Sequence, residues 1–202
     1  MNTLEAEYRQ KFELALGPLA VALEAQLREY FSQESRIDRI VARPKGVKKF
    51  VQKAMILENG VLKYSEPMRQ IQDQVGARIV TFYLSDVERV AAIVEKYYRP
   101  IETRDVIPDS ESEFGYFGKH YIFLMPKNLL KSDVDKSLVP DVFELQVKTL
   151  FQHAWSEADH DLGYKPGGKM PGADQKRLLA YASAQAWGAD RVFDELFQTL
   201  AK

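Results

Sequence analysis

Cysteine is absent from the 202 residues, which removes disulfides, thiol nucleophiles and cysteine-held metals from consideration. Histidine is scarce, with three in the chain: His120, His153 and His160. His160-Asp161 spells the dipeptide of metal-dependent phosphohydrolases, yet three histidines leave too few well-spaced ligands for such a centre. No Gly-x-x-x-x-Gly-Lys-Ser/Thr segment occurs, so a P-loop nucleotidase is not indicated. No apolar run approaches the length of a membrane span. Met1–Glu7 lacks both the basic and the apolar regions of a signal peptide, so none is expected. Neither sign of charge is in excess: 28 basic residues against 29 acidic give a net −1. A general attraction to nucleic acid or to an anionic membrane is therefore not expected. Internal repeats and low-complexity segments are missing too. The expectation is a cytoplasmic protein with no membrane partner.

What is there belongs to a globular chain. Hydrophobic residues make up 46%, and the length suits one substantial domain with helical appendages. Phe12, Leu16, Leu19, Leu23, Leu27 and Tyr30 recur at steps of three and four, predicting a helix over residues 4–31 that Gly17-Pro18 kinks or splits. Ile37–Ala42 has strand character and ends in the basic turn Arg43-Pro44-Lys45-Gly46. A helix is expected from Val47 to about Leu57, stopped by Asn59-Gly60. The strand Ala77–Leu84 follows, and Ser85 with Glu88 reads as a capping box opening the next helix. Further strands are expected over 101–107, 114–125 and around Glu144, then helices over 150–162 and 174–200. Four or five strands among these helices fit a mixed α/β sheet in one domain.

Four stretches carry candidate chemistry. Phe143, Leu145 and Val147 alternate with Glu144, Gln146 and Lys148, the period of a half-buried strand. A plain solvent-facing strand would account for that pattern as well. A second strand has the same habit, however: Asp73 and Arg78 stand at the mouth of the apolar run Ile79-Val80-Thr81-Phe82. Two strands that each bring a carboxylate to one surface can hold magnesium, which takes one or two carboxylates and completes its shell with phosphates and water. Arg43, Lys45, Lys48, Lys49 and Lys53 form the densest basic cluster. It is either a solvated helix face or a phosphate receptor at a helix N-terminus. Gly115-Tyr116 and His120 open an aromatic strand, where Tyr116 is either packed or free to stack on a base.

In combination these motifs resemble the synthetase domain of the RelA/SpoT family of (p)ppGpp synthetases, over about residues 37–165. Arg43-Pro44-Lys45 with Lys53 is similar to the family's ATP-phosphate segment, and Asp73-x-x-Gly76-x-Arg78 to its Asp-x-x-Gly-x-Arg strand. Gly115-Tyr116-x-x-x-His120 is similar to its guanine-nucleotide loop. Glu144-x-Gln146-x-Lys148-Thr149 matches its Glu-x-Gln-x-Arg/Lys-Thr strand, and Trp155…Asp159-His160…Tyr164-Lys165 the helix after it. The resemblance implies a nucleotidyltransferase-like mixed sheet of about five strands flanked by helices. It implies one synthetase domain over 1–202, with a core at about 37–165 and helical extensions at 1–35 and 173–202, as in the small single-domain members. By residue, it implies that Asp73 and Glu144 hold Mg²⁺ and that Glu144 also activates the attacking hydroxyl. Arg43, Lys45, Lys53 and Arg78 would hold ATP. Tyr116, His120, Gln146 and Lys148 would hold the guanine nucleotide. The implied reaction carries the β,γ-pyrophosphate of ATP to the ribose 3′-hydroxyl of GDP or GTP and releases AMP.

Some positions depart from the family pattern. Asp109-Ser110-Glu111-Ser112-Glu113-Phe114 replaces a commonly basic loop, and Phe117-Gly118-Lys119 replaces the usual residues before the histidine. An acidic loop repels a highly phosphorylated acceptor. The acceptor is therefore left open between GDP or GTP and those of the family's toxic members, a tRNA 3′ end or an adenine nucleotide. A silent nucleotide-binding regulator is the third reading, which intact Asp73 and Glu144 oppose. Trp187, Phe193 and Phe197 would serve a homo-oligomer interface if the chain self-associates.

Overall fold

A computed structural model of the chain describes residues 3–105, 114–115, 118–129, 134–163 and 171–201. Helix α1 (Thr3–Lys11) runs through a π-helical turn, Phe12–Leu16, into α2 (Gly17–Tyr30). The expected break at Gly17-Pro18 is taken up here: the Gly17 amide donates to the Phe12 carbonyl, five residues back. One wide turn accommodates the proline without ending the helix.

Strand β1 (Ile37–Pro44) is followed by α3 (Val47–Ala54), the hairpin strands β2 (Leu57–Glu58) and β3 (Val61–Leu62), and the short α4 (Pro67–Gln70). Asn59-Gly60, read in the sequence as a helix stop, is the hairpin turn. Both residues have positive φ, 53° and 81°, as two-residue hairpin loops require. Strand β4 (Val75–Thr81) leads to α5 (Leu84–Tyr97), β5 (Pro100–Asp105), β6 (Lys119–Leu124), two 3₁₀ turns, β7 (Val142–Thr149), α6 (Leu150–Gly163) and α7 (Ala173–Leu200). The β4 strand thus ends before the expected Leu84, and β6 begins five residues after the expected Phe114.

The main sheet has the order β1-β4-β7-β6-β5. Its central pair, β4 and β7, is parallel, and its other pairs are antiparallel. This is the mixed five-stranded sheet that the sequence pattern called for.

Side chains alternate across a strand, so β4 and β7 turn one set of side chains to the core and Gly76, Arg78, Glu144, Gln146 and Lys148 to the other face. Ile40, Ala77, Ile79, Phe143, Leu145, Val147, Tyr121 and Phe123 share one buried cluster with Leu16, Leu19, Leu23 and Leu27 of α2 and Val87, Val90, Ala91 and Val94 of α5. Each large side chain buried there contributes about 1.5–3 kcal/mol. This core fixes the register of β4 and β7, because a one-residue slip would put Glu144 and Gln146 into it.

The Ser85–Glu88 capping box does not form. Tyr83 precedes the helix without a side-chain cap. The Ser85 amide and hydroxyl both donate to Asp194 Oδ1 of α7, at 2.9 and 2.6 Å, and Glu88 accepts from Lys119 Nζ at 2.7 Å. The remote Asp194 takes the serine amide that the capping box would give to Glu88, and Glu88 is engaged by Lys119 instead. Among the described residues, no helix is long and apolar enough to cross a membrane.

Candidate active site

The pleat carries the candidate residues to one face in rows. Arg43 on β1, Gly76 on β4, Glu144 on β7 and Ile122 on β6 are cross-strand neighbours. Two residues along lies the row Val41, Arg78, Gln146 and His120. Two further along, Arg39, Val80 and Lys148 follow. Residues far apart in the chain are thereby neighbours on the face opposite the core. Gly76 leaves a gap in the first row, and a Cβ built there meets no atom within 4 Å. The space between Arg43 and Glu144 is open.

Helix α6 borders this face, and with the start of α7 it encloses a cleft of about 590 Å³. Arg43, Arg78, His120, Gln146 and Lys148 line the sheet side, with Lys49 from α3. Arg78 is the hub. Its Nη1 donates to Glu157 Oε1 at 2.6 Å and lies 2.9 Å from His153 Nδ1, and its Nε donates to Gln146 Oε1 at 3.3 Å. Burial would raise the Glu157 carboxyl, but the Arg78 hydrogen bond and charge, helped by Arg43, hold it below the usual range.

Asp73 lies just before β4 and is clasped by two lysines. Lys45 Nζ donates to its Oδ2 at 2.5 Å and Lys53 Nζ to its Oδ1 at 3.0 Å. Burial opposes ionisation of Asp73, yet the two ammonium groups outweigh it and depress the pKa. Glu144 pairs with His120, Oε1 to Nδ1 3.0 Å. Burial and, after it, the charge of Asp73 push the Glu144 carboxyl upward, but the hydrogen bond and charge of His120, with a hydrogen bond from Gln146, together hold it below the usual range. The two carboxylates feel one another across the site, and both stay ionised at neutral pH.

Lys148 is the least exposed lysine or arginine among the described residues, at 2%. Burial first, then the charge of Arg78, push its pKa down to about 6, against an upward pull from Glu157. Its Nζ donates to Ser156 Oγ at 3.4 Å.

The donor set fits a hard cation of the magnesium type: two carboxylates on neighbouring elements, with cations arranged for phosphates around them. Among the described residues, no group of three or more His, Asp or Glu forms a complete metal cage, so substrate oxygens would have to complete the shell.

A family model described as "Region found in RelA / SpoT proteins" matches residues 42–169, more than half of the chain. The chain belongs to the RelA/SpoT family. It is 28% identical over 196 residues to the GTP pyrophosphokinase YjbM of Bacillus subtilis, covering 94% of this chain and 83% of that protein. The crystal structure of small alarmone synthetase 1 from Bacillus subtilis superposes with a TM-score of 0.72 at 25% identity, covering 97% of each chain. The structure of that enzyme bound to its product pppGpp gives 0.69 at 26% identity, over 96% of this chain and 95% of that one.

The RelA/SpoT motif residues expected to act together are brought together: Arg43, Arg78, His120, Gln146 and Lys148 in the cleft, and Lys45, Lys53 and Asp73 in a cluster beside it. Tyr116 lies outside the described residues, as do Tyr164, Lys165 and the acidic segment 109–113. Sequence reasoning missed Glu157 and His153 as the partners of Arg78. Their spacing of four on α6 was a readable signal, since it puts both on one helix face. It also missed Lys176 and Leu179, which α7 adds to the cleft wall. Nothing local to α7 marks them.

Proposed function

We propose that this chain is a GTP/GDP pyrophosphokinase, moving the β,γ-pyrophosphate of ATP to the ribose 3′-hydroxyl of GDP or GTP to make (p)ppGpp and AMP. The observation that supports it best is the juxtaposition of Asp73 and Glu144 beside the open position at Gly76, within a ring of cations. Residues 37–165 would supply the chemistry, and the helical ends, 1–35 and 173–202, its frame.

Asp73 and Glu144 would hold Mg²⁺, which when bound offsets the charge of the transferring phosphates. Lys45 and Lys53 would then exchange part of their contact with Asp73 for phosphate oxygens. Arg43 and Arg78 flank the same space and would take the rest of the donor. His120, Gln146 and Lys148 continue the same sheet face along β6 and β7 and would face the acceptor, with Tyr116 assigned to its base.

In the transfer, the 3′-oxygen forms a bond to the β-phosphorus of ATP as the bond from that phosphorus to the bridging α–β oxygen breaks. The hydroxyl proton passes to Glu144, and AMP leaves with the bridging oxygen. Such transfers depend on in-line placement and charge neutralisation more than on covalent participation by the protein. His120 holds Glu144 in place through the 3.0 Å contact.

The test is incubation with γ-³²P-ATP and Mg²⁺, in separate reactions with GDP, GTP, ADP or ATP, and bulk tRNA. Label on GDP or GTP supports the proposal. Label on tRNA or an adenine nucleotide replaces it with the family's toxic chemistry, and ATP binding with no transfer replaces it with a regulator. Sizing the same preparation by light scattering tests the homo-oligomer expected from the α7 aromatics.

A further inference from the structure

The N-terminal helix lies outside the segment matched by the family model, yet it reaches the Lys45–Asp73 pair. Tyr8 of α1 is fully buried. Its ring stacks on Phe50 of α3, with centroids 3.6 Å apart and planes 4° from parallel. Its hydroxyl donates to the Lys45 carbonyl at 2.9 Å. The Lys45 amide in turn donates to the Gln74 carbonyl at 2.8 Å. Both polar backbone groups of Lys45 are thus pinned, one by α1 and one by the residue that follows Asp73.

The second loop is held as firmly. Gln74, 2% exposed, donates from Nε2 to the carbonyls of Met68 and Ile71, each at 2.9 Å. The Met68 carbonyl also takes a longer contact, 3.5 Å, from Lys11 Nζ at the end of α1. One helix therefore braces both segments that carry the ion pair. Ordinary core packing would explain the Tyr8 ring, but it does not require the hydroxyl to end on the backbone of Lys45. Burial, and after it the charge of Asp73, push the Tyr8 phenol upward, so the group remains a hydrogen-bond donor.

We propose that Tyr8 is a positioning residue for the ATP side of the reaction, fixing the backbone of Lys45 so that only its ammonium moves between Asp73 and the donor phosphates. The inference rests on the reading of Lys45 and Asp73 as donor and metal residues. Fixing the backbone while leaving the side chain free suits a transfer in which misplacement of about 1 Å costs up to about 10²-fold.

The test compares Tyr8→Phe, Leu23→Ala and Lys45→Ala in steady-state assays with ATP and the acceptor varied separately, beside thermal melts. Tyr8→Phe keeps the ring and its stack. It is expected to lower kcat/KM for ATP about 10-fold, with the acceptor KM unchanged. Leu23→Ala, a cavity in α2 that removes none of the hydrogen bonds to either loop, is expected to lower the Tm at least as much while kcat/KM for ATP holds. Wild-type ATP kinetics in Tyr8→Phe, or equal losses for both substrates that track the Tm, overturn the inference. If Lys45→Ala is impaired while Tyr8→Phe is silent, the inference alone fails. If Lys45→Ala leaves ATP kinetics untouched, the donor-site reading falls and the inference with it.

Discussion

Arg78 on β4 and Glu157 on α6 meet at 2.6 Å, and this pair ties the helix that borders the cleft to the floor of the cleft. It also sets a carboxylate beside cations assigned to the donor phosphates, with the charge of Arg43 acting on Glu157 too. ATP must displace this contact or share it. Glu157 is 51% exposed, so solvent screens the pair, and its effect on binding belongs to the modest range of surface ion pairs. Glu157→Gln is expected to lower the KM for ATP by about 2- to 5-fold, with the acceptor KM unchanged. A rise in the ATP KM would instead make Glu157 a guide for Arg78.

Glu144 is the group whose loss should separate chemistry from binding. Glutamine at 144 keeps the size and the contact to His120 but accepts no proton at neutral pH. The expected result is a fall in kcat of about 10²- to 10⁴-fold, with the melting curve shifted little and ATP still bound. Label transfer and a thermal melt on the same preparation check both halves.

Lys148 predicts a pH dependence whose sign follows from linkage. Its folded pKa is depressed to about 6, whereas the unfolded chain holds the proton up to its ordinary value of about 10.4. Between those limits the unfolded state binds more protons, so this group makes the fold more stable as pH rises through the window. Below about pH 6 both states are charged, and the penalty of burying the ammonium is fully present. Lys148→Met removes the group. Its Tm is expected to exceed wild type most near pH 6, the difference narrowing toward pH 10. A difference that is flat with pH would show that Lys148 is charged in the free protein.

The sheet was legible because β4 and β7 write their two faces into a period of two, which places Arg78, Glu144, Gln146 and Lys148 on one side without reference to any partner. Contacts that depend on which distant group wins were not legible. Ser85 has a local acceptor in Glu88 and a remote one in Asp194, 109 residues away, and the local pattern cannot rank them. Tyr8 with Lys45 and Arg78 with Glu157 are 37 and 79 residues apart, so only the packed core brings them within reach. Asn59-Gly60 was misread for a different reason. The dipeptide serves equally as a helix stop and as a hairpin turn, and the short strands on either side are too brief for their periodicity to decide.

Gly76 gives opposite signs for stability and activity. Its Cβ position is empty to 4 Å, and its φ is not in the left-handed region, since Gly60 is the glycine with positive φ among the described residues. Alanine there meets no steric obstacle. Glycine inside a strand costs roughly 0.5–1 kcal/mol relative to alanine through its extra freedom in the unfolded chain. Gly76→Ala is therefore expected to raise the Tm slightly. The new methyl group, however, would stand between Arg43 and Glu144, in the space assigned to the ATP phosphates. Activity is expected to fall by about 10- to 100-fold, mainly through the KM for ATP. A stabilised variant with wild-type kinetics would mean that the phosphates do not pass through this gap, and the donor would then have to enter along α6, past Arg78 and Trp155.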